Sequence, residues 1–169
     1  MAIRGGTASD AAVTEVQRGA AGTPGCLKGR AGRLGLLGTV ERNTPVGIFG
    51  HAAGSGWEGA PVPVAARREI TTGPAEIWSN VSGTGIDHFT VVVEEILFDG
   101  QSGRNLKLRV TDPRLLEQTG GIVQGMSGSP IIQNGKLIGA VTHVLVQDPV
   151  RGYGIFLENM LAACEPMAA

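Results

Sequence analysis

The stretch GGIVQGMSGSPIIQNGKLIGAVTHV, Gly120–Val144, decides how this chain is read. It sets one serine, Ser127, between Gly125 and Gly128, with Ser129-Pro130 and two apolar runs behind it. Glycine serves where a backbone must turn sharply or approach another group closely. Val and Ile suit strands. The order therefore reads as a serine presented on a tight turn between strands. Pro130 to Gln133 and Lys136 to Val146 are strand candidates joined by Asn134-Gly135. Asn-Gly between apolar runs is the strongest short signal for a hairpin. Just upstream, Asp112-Pro113 opens RLLEQT, and Gly120-Gly121 closes it. Asp as N-cap, Pro at the first helical position and Gly past the end together predict a short helix.

Working outward, Phe89 to Phe98 (FTVVVEEILF) is the longest β-type run, and Leu106 to Val110 (LKLRV) alternates apolar and polar residues. Val13–Gln17, Leu34–Val40, Val46–Phe49, Val62–Ala66 and Ala75–Asn80 are shorter strand candidates, and Arg42-Asn43-Thr44-Pro45 is a turn signal. Residues 1–12 show no periodicity and read as a loose end, Gly19–Arg33 and Gly50–Pro61 as Gly-rich loops. Ile155 to Ala163 predicts a terminal helix with Phe156, Met160 and Leu161 on one face. The 169 residues, 27 of them glycine and 42% hydrophobic, suit one β-rich, loop-rich domain able to bury a core.

The net charge of −1 gives no broad attraction for nucleic acid, and the basic clusters (Lys28, Arg30 and Arg33; Arg67-Arg68; Arg104, Lys107 and Arg109) lack interleaved aromatics. No nucleic-acid partner is expected. His51, His88 and His143 are scattered, no Cys-x-x-Cys occurs, and neither metal nor cofactor is expected. Cys26 and Cys164 read as two free thiols, although spacing does not exclude a bridge. No apolar run reaches the ~18 residues of a membrane span. MAIRGGTASDAA lacks the apolar core of a signal peptide, so no membrane contact is expected from the chain as written.

A serine hydroxyl becomes a nucleophile only with a base for its proton, a group to orient that base, and N–H donors for the developing oxyanion. Gly-x-Ser-Gly-(Gly/Ser)-Pro followed by a hairpin resembles the nucleophile motif of trypsin-like serine peptidases. In that pattern the amides of Gly125 and Ser127 form the oxyanion hole, and RGYGIF is similar to the strand that walls the specificity pocket. The resemblance narrows with TDPRLLEQTGGIVQGMSGSPIIQNGKLIGAVTHVLVQDPVRGYGIFLENML, NTPVGIFG, TTGPAEIW and VTEVQRGAAGTPG. These are similar to the SpoIVB family of sporulation serine peptidases over residues 13–163.

That resemblance implies an all-β, trypsin-like fold with the C-terminal barrel largely complete, the N-terminal barrel incomplete and a short C-terminal helix. It implies a peptidase domain over 13–165, a protein or peptide substrate, and an endopeptidase working through an acyl-enzyme. The family acts between the two forespore membranes, in sporulation signalling that leads to sigma-factor activation. The family nucleophile falls on Ser127 and its acidic member on Asp112, where an N-cap role explains Asp-Pro equally well. Both roles coexist only if different carboxylate oxygens serve them. The family histidine lies in a Gly-His motif upstream of VTEV, for which this sequence has no matching position. The chain thus reads as a peptidase domain beginning after its base, without the family's anchor and PDZ domain. His51 in FGHAAG is the substitute base by order alone, His143 is expected to line the cleft, and His88 to be an exposed turn residue. The rival expectation is an inactive, truncated remnant or a peptide-binding module that lacks the general base.

Overall fold

The computed structural model describes residues 5–54, 60–98 and 103–164; the Gly-rich stretch around Trp57 lies outside them. Six antiparallel strands close into a barrel in the order β4-β5-β6-β9-β8-β7. They are β4 (Gly73–Ser82), β5 (Gly85–Ile96), β6 (Leu106–Val110), β7 (Pro130–Gln133), β8 (Lys136–Val144) and β9 (Arg151–Phe156). Before them, β1 (Gly6–Gln17), β2 (Cys26–Thr44) and β3 (Gly47–Ala52) form a three-stranded antiparallel sheet. This is the trypsin-like all-β architecture, with a complete C-terminal barrel, an open N-terminal sheet and a short helix α2 (Leu157–Ala163) at the end.

Alternation places one face of each barrel strand inside. In β4 the inward residues are Ala75, Ile77, Ser79 and Val81; in β5 they are Phe89, Val91 and Val93; in β6, Leu106, Leu108 and Val110. A six-stranded barrel is narrow enough for side chains to fill it. Its packing is completed from outside the sheet by Leu115 of α1 (Pro113–Thr119) and by Ile122, Val123 and Met126 of the following loop. The barrel core and the serine loop are therefore one packed unit.

Several local expectations hold in detail. Asp112 caps α1, Pro113 starts it, and Gly120 ends it in the left-handed region at φ 77°. Asn134 and Gly135 turn β7 into β8 with φ of 51° and 74°, the paired positive values of a type I′ turn. Others differ. Residues 6–12 are not a loose end but half of β1, paired with β2 from Gly6↔Val40 onward. Both faces of β1 are largely exposed, which erases the periodicity a sequence reading relies on. For the same reason Cys26–Arg33 belongs to β2 rather than to a loop. Val62–Ala66 forms no strand; Val64 makes an isolated parallel bridge to Leu137 before a short 3-10 turn at Arg67–Glu69. The last helix begins at Leu157, because Ile155 and Phe156 are still paired in β9 against β8.

The sheet is pinned to the barrel at defined points. Val13 and Gly83 exchange backbone hydrogen bonds of 2.8 and 3.0 Å. The Leu27 amide donates to the Gln124 carbonyl at 2.8 Å, and the Gln124 amide donates to Gly25 at 3.0 Å. The second pair fixes β2 directly beside the serine loop.

Candidate active site

The loop from Gly121 to Ser129 is held at both ends before it presents Ser127. At its start, the buried Thr119 hydroxyl donates to the Leu115 carbonyl at 2.9 Å, and the Ile122 amide donates to Pro149 at 2.8 Å. At its end, the Gly128 amide donates to Val141 at 2.8 Å, the Val141 amide donates back to Ser129 at 2.9 Å, and the Ser129 hydroxyl donates to Ser79 Oγ at 3.0 Å. Between these anchors Ile122, Val123 and Met126 are buried, whereas Ser127 is exposed.

The amides of the loop divide into two sets. Those of Met126, Gly128 and Ser129 are spent on Val123, Val141 and Met126. The amides of Gly125 and Ser127 have no acceptor among the described residues. Gly125 has φ 100°, and a Cβ there would stand 3.0 Å from Leu27 Cβ; only glycine gives the loop this conformation so close to β2. Two unspent N–H groups beside an exposed hydroxyl are the elements of an anion-receiving site.

The Ser127 hydroxyl donates to the Thr142 carbonyl at 3.1 Å. It opens on a cavity of about 440 Å³ whose lining includes Val46, Ile48, Ala140, Ile155, Met160 and His143. His143 therefore lies in the cleft, as expected. It is exposed on β8, yet partial desolvation, with Arg104 adding a like charge, lowers its imidazole below the ordinary value.

Asp112 is placed elsewhere. It is 4% exposed and does not line the cavity of Ser127. Its Oδ1 accepts from the Arg114 amide at 2.9 Å and from Arg114 Nε at 3.1 Å. Its Oδ2 accepts from the Thr90 amide at 3.2 Å and from Arg114 Nη2 at 2.9 Å. An ionised carboxylate offers about four acceptor sites, and all are used here. The Arg114 side chain, aided by the Thr90 and Arg114 amides against the cost of burial, holds the carboxyl down at about 2. The four bonds fall two on each oxygen, and none of them comes from a histidine.

His51 sits on β3, where Nε2 lies 3.0 Å from Glu41 Oε1, and it lines a different cavity with Leu37 and Phe49. His88 is a strand residue of β5 rather than a turn residue, and its ring stacks on Trp78 at 4.4 Å. Of the residues singled out from the sequence, Gly125, Ser127 and His143 come together; Asp112 and His51 do not join them. Sequence reasoning missed the β2–β3 turn, whose Val46 and Ile48 wall the cavity, because that contact joins residues some eighty positions from the serine. Met160 was foreseen only as part of an apolar helix face.

A profile of the SpoIVB peptidase S55 family matches residues 1–161 of the chain. The chain belongs to the SpoIVB peptidase S55 family. Neither a curated protein nor a solved structure matches it. Family membership makes this a SpoIVB-type serine peptidase, with proteins as the substrate class. The S55 match reaches back through β1 and β2, so the open sheet belongs to the family's region as much as the barrel does. No described helix is long and apolar enough to cross a membrane.

Proposed function

We propose that this S55-family chain is an endopeptidase with Ser127 as nucleophile and the amides of Gly125 and Ser127 as the oxyanion donors. The observation that carries this reading is the pair of unspent amides on an anchored loop, flanking an exposed hydroxyl. In the reaction, Ser127 Oγ attacks a peptide carbonyl carbon while its proton passes to an imidazole. The carbonyl electron pair moves onto oxygen, where the two amides receive the charge. Collapse breaks the C–N bond, the imidazolium protonates the departing amine, and an acyl-enzyme remains for water to hydrolyse. Among the described histidines, His143 shares the cavity of Ser127, while His51 faces Glu41. Asp112 acts as a positioning residue: it fixes the start of α1, and α1 leads directly into the serine loop. The family resemblance supports a role for this cleavage between the forespore membranes, in signalling that leads to sigma-factor activation.

One observation favours a second reading, a peptide-binding module without hydrolysis. The Ser127 proton is committed to a carbonyl, Thr142, which is no base. A fluorophosphonate probe separates the two. The endopeptidase reading expects covalent labelling that Ser127→Ala abolishes; a folded chain that takes no label sinks it in favour of the binding module. His143→Ala and His51→Ala in the same assay identify the base, because loss of the base lowers labelling by orders of magnitude.

A further inference from the structure

The two unspent amides of the serine loop are aimed by the carbonyls joined to them. Each belongs to a trans peptide unit. Such a unit is planar, so its N–H and its C=O point in opposite directions. The Ser127 amide shares its unit with the Met126 carbonyl, which accepts from the Ser129 amide at 3.0 Å. That unit is held from within the loop. The Gly125 amide shares its unit with the Gln124 carbonyl, which accepts from the Leu27 amide at 2.8 Å. That unit is held from β2, a strand of the open sheet, and its N–H is thereby turned away from β2.

The Gly125 unit needs such a hold. Reversing it would carry Gly125 from φ 100° into the negative-φ region, which glycine populates about as readily. The reversed unit would present its carbonyl oxygen where its N–H now stands, and a developing oxyanion would meet like charge. Among the described residues no other backbone bond falls on either end of this unit. β2 is itself firmly seated. The Gly25 carbonyl accepts from the Gln124 amide at 3.0 Å, and the Gly19 amide donates to the Thr119 carbonyl at 2.8 Å. A Cβ built on Gly25 would stand 2.7 Å from Val123 Cγ1. So close an approach fixes the spacing between β2 and the loop.

We infer that Leu27 is a positioning residue for the peptidase reaction: its backbone N–H, by holding the Gln124 carbonyl, keeps the Gly125 amide turned outward as an oxyanion donor. The open sheet thus governs the competence of a serine presented by the barrel. The inference rests on the reading of Ser127 as nucleophile. Losing an oxyanion donor outright lowers the rate by about 10²–10³, and a donor that samples both orientations loses part of that.

The test removes one N–H. Amide-to-ester replacement at Leu27, by incorporating the α-hydroxy analogue of leucine, deletes the donor and keeps the side chain. The same replacement at Val13, whose amide donates to Gly83 at 2.8 Å across the junction of sheet and barrel, is the control for a merely structural bond. Fluorophosphonate labelling is separated into probe affinity and maximal rate. The Leu27 ester should lower the maximal rate at least tenfold with affinity little changed, while the Val13 ester stays close to the parent on both. The N–H residual dipolar coupling of Gly125, read by NMR on the full chain, reports the direction of that amide without turnover and should change in the Leu27 ester alone. A maximal rate that stays at the parent's, or that falls equally in both esters, overturns the inference, as does an unchanged Gly125 coupling in the Leu27 ester. So does a coupling in the parent that does not fit an N–H directed away from β2, whether or not the ester folds. A parent that takes no label, with Gly125 still reoriented in the Leu27 ester, leaves Leu27 as the residue that aims this amide and removes Ser127 as a nucleophile.

Discussion

Replacing Asp112 by alanine separates a structural carboxylate from a catalytic one. The side chain makes four hydrogen bonds, two on each oxygen. Loss of an N-cap costs about 1 kcal/mol. The Thr90 amide, part-buried between β5 and α1, loses its acceptor, which costs about 1 kcal/mol more. The ion pair with Arg114, whose side chain is 58% exposed, adds about 0–1 kcal/mol once solvent screening is counted. The sum is about 2–3 kcal/mol. For a domain of this size that lowers Tm by about 4–12 °C. Urea unfolding followed by the two tryptophans measures it, with the m-value expected to stay constant. Asp112→Asn keeps an oxygen for the cap and should recover about half of the loss. Both variants, held well below their unfolding midpoints, should take the fluorophosphonate label within about tenfold of the parent rate. The reasoning fails if Asp112→Ala costs less than about 0.5 kcal/mol. It also fails if a fully stable Asp112→Asn loses labelling by the ~10⁴-fold seen when an imidazole loses its orienting carboxylate.

The same carboxylate sets an acid limit. Its folded value of about 2 lies below the ordinary 3.8, so its contribution is complete above about pH 4 and is lost as pH falls toward 2. Unfolding free energies from urea titrations across that window should drop by about 1–2 kcal/mol, and Asp112→Asn should flatten this part of the curve. Gly125→Ala forces a side chain against Leu27 at φ 100° and should lower labelling by about 10²–10³, the effect of losing an oxyanion donor, as single-turnover kinetics will show. Gly135→Ala, at φ 74° in the β7–β8 turn, should cost about 1–2 kcal/mol in urea unfolding and leave the labelling rate unchanged. Glu94 joins Arg109 at 2.7 Å and Arg151 at 2.9 Å across three strands; Glu94→Gln should cost about 1 kcal/mol, a loss that shrinks at high salt.

The legible parts of the sequence were those governed by neighbours along the chain. The Asp112-Pro113 start and Gly120 stop of α1, the Asn134-Gly135 turn and the alternation of Leu106–Val110 are local rules, and each appears in the structure as read. So is the glycine-flanked serine, because a tight exposed turn demands those residues wherever it occurs. The illegible parts depend on partners far away. β1 and the first half of β2 carry little apolar alternation, and they are strands because each supplies the other's hydrogen bonds. Which groups meet the two oxygens of Asp112 was likewise out of reach, because only the packing of β5 against α1 brings the Thr90 amide to one of them. The cavity beside Ser127 likewise has no sequence signature. Its walls come from β2–β3, β8, β9 and α2, segments that meet only after the barrel has closed. Local chemistry thus placed the serine on its turn, while tertiary packing decided which amides stay free and which histidine shares its cavity.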